Sequence, residues 1–103
     1  MNPFEQPWFI LSSETPGEHL ILEGSRGELL APIWLSLEEA ERFARATPAA
    51  QGMSVERLET PALKGSFLRA LSLLHVERIL LGYQPGSLEV PSFRLEEGLR
   101  RLS

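Results

Sequence analysis

The side chains in this sequence best suited to acid–base chemistry are two histidines, His19 and His75, and fourteen acidic residues, all of them glutamate. A catalytic base needs a partner within hydrogen-bond reach. His19 opens a predicted strand, and His75 closes a predicted helix, where the helix dipole stabilises its cation. These positions favour a structural role for both histidines, so we predict no catalytic residue.

Signatures of nucleophilic, phosphate-binding and metal chemistry are also missing from the sequence. No serine lies in a G-x-S-x-G segment, and there is no cysteine for thiolate chemistry or disulfides. The segment 24–27 (Gly-Ser-Arg-Gly) predicts a hairpin turn, because a phosphate loop must lead from a strand into a helix. Glu38, Glu39 and Glu41 share one predicted helix and are typical of a solvated face rather than a metal site. We predict neither a metal nor a cofactor.

Five residues at the ends of predicted strands are the candidates for a ligand-binding or interaction site: Trp34, Ser36, Thr60, Tyr83 and Gln84. Strand–helix–strand connections are nearly always right-handed, with the two strands parallel. If the third, fourth and fifth strands follow this rule, their C-terminal ends form one rim, where open α/β sheets bind ligands. We therefore expect the five candidates to lie along that rim, with Arg69 or His75 nearby.

The first third of the sequence predicts three extended segments separated by turns. They cover Trp8–Leu11, His19–Glu23 and Glu28–Leu35, and glycine, serine and proline are concentrated between them. We interpret them as a three-stranded antiparallel meander. Pro32 cannot donate a hydrogen bond to a neighbouring strand, which places this part of the third strand at an edge or a bulge.

Three helices are predicted from their capping signals and apolar spacing. Ser36 and Glu39 form a capping-box pattern before a helix over about Leu37–Ala46. Thr60-Pro61 combines an N-cap with proline at the first helical position, and apolar residues then recur at helical spacing. A terminal helix covers about Leu95–Leu102.

Two further strands, over 53–59 and 76–83, alternate with these helices, and 90–94 is a short extended segment. In the fifth strand, either Glu77 or Arg78 must point near the core unless it is paired or lies at an edge. The predicted fold class is α+β with the order βββαβαβ(β)α. We expect a single domain over residues 1–103, with two or three helices packed on a mixed sheet of about five strands.

Composition limits the functions that are open to this chain. Its 103 residues are 43% hydrophobic, which is enough for one core, and its net charge is −4. Nucleic acids and anionic membranes are bound by clustered lysine and arginine, so we predict no nucleic-acid or membrane partner. The sequence shows neither a membrane-spanning run nor a signal-peptide pattern, which predicts a cytoplasmic protein. Arginine and glutamate dominate the charged residues, which is typical of a heat-adapted source or of a GC-rich genome.

Two passages of the chain resemble the N-terminal domain of the SseB-like (enhanced serine sensitivity) proteins. Residues 32–40 (P-I-W-L-S-L-E-E-A) are similar to the family's strand-to-helix segment, and residues 80–87 (L-L-G-Y-Q-P-G-S) are similar to its strand that ends in an N-P-G turn. Gln84 stands where that family favours asparagine. The resemblance implies a fold rather than an activity, and it also suits small uncharacterised bacterial domains of similar plan.

Three hypotheses for function follow from these observations. The first is a non-enzymatic module for protein interaction or self-association, as a homodimer or with a protein partner, because aromatic residues lie at strand ends beside an unpaired edge. The alternative is a small-ligand-binding or weakly catalytic domain, with its site at the C-terminal ends of strands three to five. The third, implied by the resemblance, is a regulatory domain connected with amino-acid metabolism.

Overall fold

The computed structural model describes residues 2–102. Within that range, the chain forms six strands and three helices, preceded by a short 3₁₀ turn over Pro3–Glu5. In chain order the elements are β1 (Trp8–Ser12), β2 (Leu22–Glu23), β3 (Leu29–Ile33), α1 (Leu37–Ala46), β4 (Ser54–Leu58), α2 (Pro61–Leu73), β5 (Arg78–Leu81), β6 (Ser92–Arg94) and α3 (Leu95–Leu102).

The strands form two sheets that meet at one bridge. The larger sheet has the order β2-β3-β5-β6, in which β3 and β5 are parallel and the other pairs are antiparallel. The smaller sheet pairs β1 with β4 in antiparallel register. Phe9 and Trp34 join the two sheets, because each backbone N–H donates to the other's carbonyl oxygen, at 2.8 and 2.9 Å. The α+β fold class is confirmed.

The predicted rim of three parallel strands is wrong, because β4 lies outside the larger sheet. Parallel strands are buried on both faces, whereas antiparallel pairs tolerate one face in water. Ser54, Glu56 and Arg57 are all exposed in β4. Such a polar strand suits the antiparallel pair with β1. In the larger sheet, the parallel pair is formed by β3 and β5.

The predicted meander is present only in part. The second extended segment pairs with β3 through β2, but it meets β1 at the single bridge Ser12↔His19. The reason lies in β1, whose apolar residues alternate between two core clusters. Trp8 and Ile10 belong to the cluster under α2 and α3, while Leu11, with Phe9 beside it, belongs to the cluster under α1. β1 therefore needs cover on both faces, which the meander alone would not provide.

α1 and α2 begin where their capping signals predict. Ser36 Oγ accepts from the backbone N–H of Glu39 at 3.2 Å, and Thr60 Oγ1 accepts from that of Leu63 at 3.1 Å. Just beyond α2, His75 has a φ of 63°, a left-handed conformation. The N–H groups of His75 and of the next residue donate back to the last turn of α2, as in a Schellman cap. His75 therefore closes the end of α2 through its left-handed backbone conformation.

Lys64 of α2 is buried in the core although it is charged, and is only 1% exposed. Its Nζ donates to the carbonyl oxygens of Phe4, at 2.9 Å, and Gln6, at 2.5 Å. The same Nζ lies 5.2 Å from the centre of the Trp8 ring, and burial lowers the pKa of Lys64. This side chain therefore fastens the N-terminal segment to α2.

Candidate functional site: the His19 cavity

The structure brings four of the five predicted site residues together. Trp34 Nε1 donates to the carbonyl oxygen of Tyr83 at 2.8 Å, and Gln84 Nε2 donates to the carbonyl oxygen of Glu39 at 2.8 Å. Ser36 caps α1 directly after Trp34. Thr60 lies apart from them, because it caps α2 after β4, which belongs to the other sheet.

These four residues hold α1 against the ends of β3 and β5. The Trp34 and Phe43 rings pack with centroids 4.9 Å apart, and the Phe43 and Tyr83 rings lie 5.8 Å apart. Trp34 is 0% exposed, so it cannot contact a partner. Gln84 keeps one unused polar atom, a buried Oε1 without a hydrogen-bond partner in the described part of the chain. The rim is filled by side chains here and lines neither of the two cavities described below.

A cavity of about 340 Å³ lies elsewhere, where the loop after β1 covers β4 and α2. We call it the His19 cavity. Its polar end carries Ser12, His19 and Glu56, and its apolar wall includes Leu58 and Phe67. This combination of an apolar wall with a few convergent polar groups is typical of small-molecule sites.

Backbone pairing positions the three polar side chains. Ser12 is the last residue of β1, and Glu56 lies opposite Ile10 in the register of β1 and β4. The chain turns back after Ser12 through a loop that contains Gly17, whose φ of 80° favours glycine. The returning segment bridges to the end of β1, which places His19 beside Ser12.

The hydrogen bonds within this group determine where the protons lie. Ser12 Oγ is 3.0 Å from Glu56 Oε2 and 3.0 Å from His19 Nδ1. A hydroxyl has one hydrogen and a carboxylate has none, so Ser12 donates to Glu56 and accepts from His19. His19 therefore carries hydrogen on Nδ1. Its Nε2 has no hydrogen-bond partner among residues 2–102, and in the neutral ring this atom is an acceptor.

Burial makes the neutral form of His19 the relevant one at neutral pH. Burial lowers the pKa of His19 below its usual value of 6.5, and the nearby Glu56 carboxylate only partly opposes this effect. The imidazole also packs edge-on against the Phe67 ring, with centroids 5.1 Å apart. The arrangement supplies a hydrogen-bond acceptor or base in His19, whereas Ser12, whose hydrogen is committed to Glu56, is not an activated nucleophile.

We expect this lowered pKa to make the protein less stable in mild acid. As the pH falls through 6.5, the unfolded chain binds a proton at His19 before the folded protein does. The contribution of His19 to the free energy of unfolding is complete above that pH and is lost as the pH falls toward the folded-state pKa. Urea unfolding at pH 7.5 and pH 5 measures this effect. Between the two pH values, the free energy of unfolding should fall more for the wild type than for His19→Gln. His75→Gln is the matched control and should lose as much stability as the wild type. Equal losses in the wild type and His19→Gln would contradict the assignment of this effect to His19.

The Ser12–His19–Glu56 group was missed by the sequence reasoning, which treated His19 as a structural residue of a strand. Its members come together only when β1 pairs with β4, and the prediction placed β4 in the parallel sheet. The available signal was the alternation in 53–59, where Met53 and Val55 alternate with Ser54 and Glu56. That pattern is typical of a strand with one wet face.

Residues 2–102 contain no group of three histidine or acidic side chains arranged to hold a metal ion. Among the same residues, no helix combines the length and apolar character needed to cross a membrane.

The fold and the cavity define a small α+β domain with a pocket beside a partly buried histidine. Over residues 5–99 the sequence matches the family described as protein of unknown function DUF3234. The match spans most of the chain, which therefore belongs to this family. Among curated proteins, none matches the sequence significantly. The expectation of a small uncharacterised domain is thus confirmed, whereas the SseB-like resemblance stays a prediction.

Proposed function

We propose that this domain binds a small molecule in the His19 cavity. The observation that carries the proposal is the state of His19, a partly buried imidazole whose Nδ1 is held by Ser12 while Nε2 has no partner in the described part of the chain. An acceptor of this kind, at the junction of a polar end and an apolar wall, is suited to orient a ligand.

The charges around the cavity favour a particular class of ligand. Its lining contains the Glu56 carboxylate, several hydroxyls and the imidazole of His19, and it contains no lysine or arginine. An anion placed here would meet a carboxylate and no cation, whereas an ammonium or hydroxyl group would find acceptors. The apolar wall of Leu58 and Phe67 suits a compact ring or short aliphatic body. We therefore propose an amine or alcohol with a small apolar body as the ligand.

A panel of three molecules of similar shape tests this proposal. Benzylamine, benzyl alcohol and benzoate carry the same ring with a cationic, a neutral and an anionic group. We expect NMR titration to show the tightest binding for benzylamine, weaker binding for benzyl alcohol and none for benzoate, with shifted signals at His19 and Phe67.

Two variants locate the site in the same titration. His19→Leu removes the acceptor and should weaken benzylamine binding about tenfold or more, since such a loss corresponds to about 1.4 kcal/mol. His75→Gln, outside the cavity, should bind as the wild type does. If none of the three molecules shifts the His19 signals, the proposed site is wrong. If benzoate binds most tightly, the site stands and the ligand class is wrong.

The interaction module predicted from the sequence stays a second proposal. Trp34, the aromatic residue expected to contact a partner, is buried. The proposal is supported instead by two exposed leucines at the end of α2, Leu73 at 82% and Leu74 at 44% exposure. Light scattering of the purified protein tests this proposal directly. A dimer that Leu73→Glu dissociates would support it, and a strict monomer at high concentration would refute self-association.

A further inference from the structure

A second cleft, of about 500 Å³, lies on another side of the molecule, where β5 and β6 meet the start of α3. It shares no lining residue with the His19 cavity. Two arginines, Arg78 and Arg94, form one side of it, and Leu95 and Leu99 contribute an apolar wall. We call it the arginine cleft.

The sheet register places the two arginines directly against each other. Arg78 of β5 is the antiparallel partner of Arg94 of β6, and the next pair along the strands is Ile79 with Phe93. Residues opposite each other in an antiparallel pair lie on the same face of the sheet, and like charges in such a pair are destabilising. Ile79 and Phe93 are buried in the core, so the two guanidinium groups share the opposite face. Arg78 and Arg94 therefore repel each other, and a neutral residue at either position would remove this repulsion.

Arg78 is oriented but not neutralised. Its Nε donates to Ser92 Oγ at 3.1 Å, and it forms no ion pair among residues 2–102. The hydrogen bond to Ser92 holds the planar guanidinium by its edge. Both Nη atoms therefore remain available, in the fork geometry that matches a carboxylate or a phosphate.

Arg94 has only a weak internal partner. Its Nη1 lies 3.7 Å from Glu96 Oε1, and both side chains are mostly exposed. That distance is beyond a good hydrogen bond, and exposed pairs of this kind contribute little. Glu77 also lines the cleft. Glu77 and Glu96 therefore reduce its positive charge, but neither forms a bidentate ion pair with an arginine among residues 2–102. An incoming oxyanion would have to displace only the loose Glu96 contact.

We propose that the arginine cleft binds an organic oxyanion, with its carboxylate or phosphate group between the guanidinium groups of Arg78 and Arg94. The limited volume of the cleft favours a small molecule. A polyanion such as nucleic acid is disfavoured by the net charge of −4. Carboxylate and phosphate share the chemistry that the two guanidinium groups recognise, and the experiment separates them.

Thermal unfolding in the presence of inorganic phosphate, acetate or chloride at matched ionic strength tests the proposal. We expect phosphate, acetate or both to raise the Tm of the wild type in a saturable manner, and chloride to leave it unchanged. Which of the two ions acts at lower concentration identifies the preferred group. Arg78→Gln and Arg94→Gln should each raise the half-saturating concentration about tenfold or more, whereas Arg42→Gln, an exposed arginine of α1, should not change it.

Two further measurements separate anion binding from a change in stability. Glu96→Gln removes the internal competitor and should tighten binding about two- to fivefold. Without added anion at low salt, Arg94→Gln should unfold at the same or a higher temperature than the wild type, because the like-charge contact is relieved. An equal anion effect in the wild type, Arg78→Gln and Arg94→Gln would indicate a general salt effect and overturn the proposal. So would a Glu96→Gln variant with weakened binding.

Discussion

Replacing Trp34 with alanine is expected to lower the free energy of unfolding by about 4 kcal/mol. The Trp34 indole is 0% exposed, packs on Phe43 and donates from Nε1 to the carbonyl oxygen of Tyr83. Its removal leaves both a large void and an unsatisfied carbonyl group. Urea denaturation followed by circular dichroism measures the change.

Leu88→Ala is the matched control for this substitution, because Leu88 is 98% exposed and its truncation should change stability by no more than about 0.5 kcal/mol. A loss for Trp34→Ala that is as small as the control's would place Trp34 on the surface. The residue would then regain the interface role that its strand-end position predicts.

Replacing Lys64 with methionine should lower the free energy of unfolding by about 2 kcal/mol. Methionine keeps a long apolar side chain but removes the ammonium group that lies over the Trp8 ring and donates to the carbonyl oxygens of Phe4 and Gln6. Each buried carbonyl left unpaired costs about 1–3 kcal/mol, and the relieved desolvation of the charge offsets part of that sum.

Arg69→Met controls for the loss of a cation from the same helix, since Arg69 is exposed and its replacement should shift stability within about 0.5 kcal/mol. Urea denaturation of both variants provides the comparison. A Lys64→Met protein as stable as the wild type would show that the N-terminal segment does not depend on this side chain.

The local features of the fold could be predicted well from the sequence. α1 and α3 occupy the predicted ranges, because a capping serine, Ser36, and apolar spacing act within one or two helical turns. Thr60 likewise marks the start of α2. The pairing of strands was less accessible, because β1 and β4 are joined across a long stretch of chain and their register carries little local signal.

The difficulty of predicting strand pairing also explains which site residues could be predicted from the sequence. Trp34, Tyr83 and Gln84 meet because β3 and β5 are adjacent and parallel, and their contacts hold α1 in place. Ser12 and Glu56 lie 44 residues apart and meet only through the β1–β4 register. Lys64 is the other omission, since lysine is rarely buried and the carbonyl groups that hold it have no sequence signature.

The protonation of the His19 ring is the most direct test of the proposed ligand site. Long-range ¹H–¹⁵N correlation spectra above the His19 pKa distinguish the two neutral tautomers, with His75 as a second imidazole in the same sample. The structure predicts hydrogen on Nδ1 of His19 and none on Nε2, because Ser12 donates to Glu56. Hydrogen on Nε2 with a bare Nδ1 would contradict this account, since the cavity would then present a donor in place of the free acceptor on which the proposed binding depends.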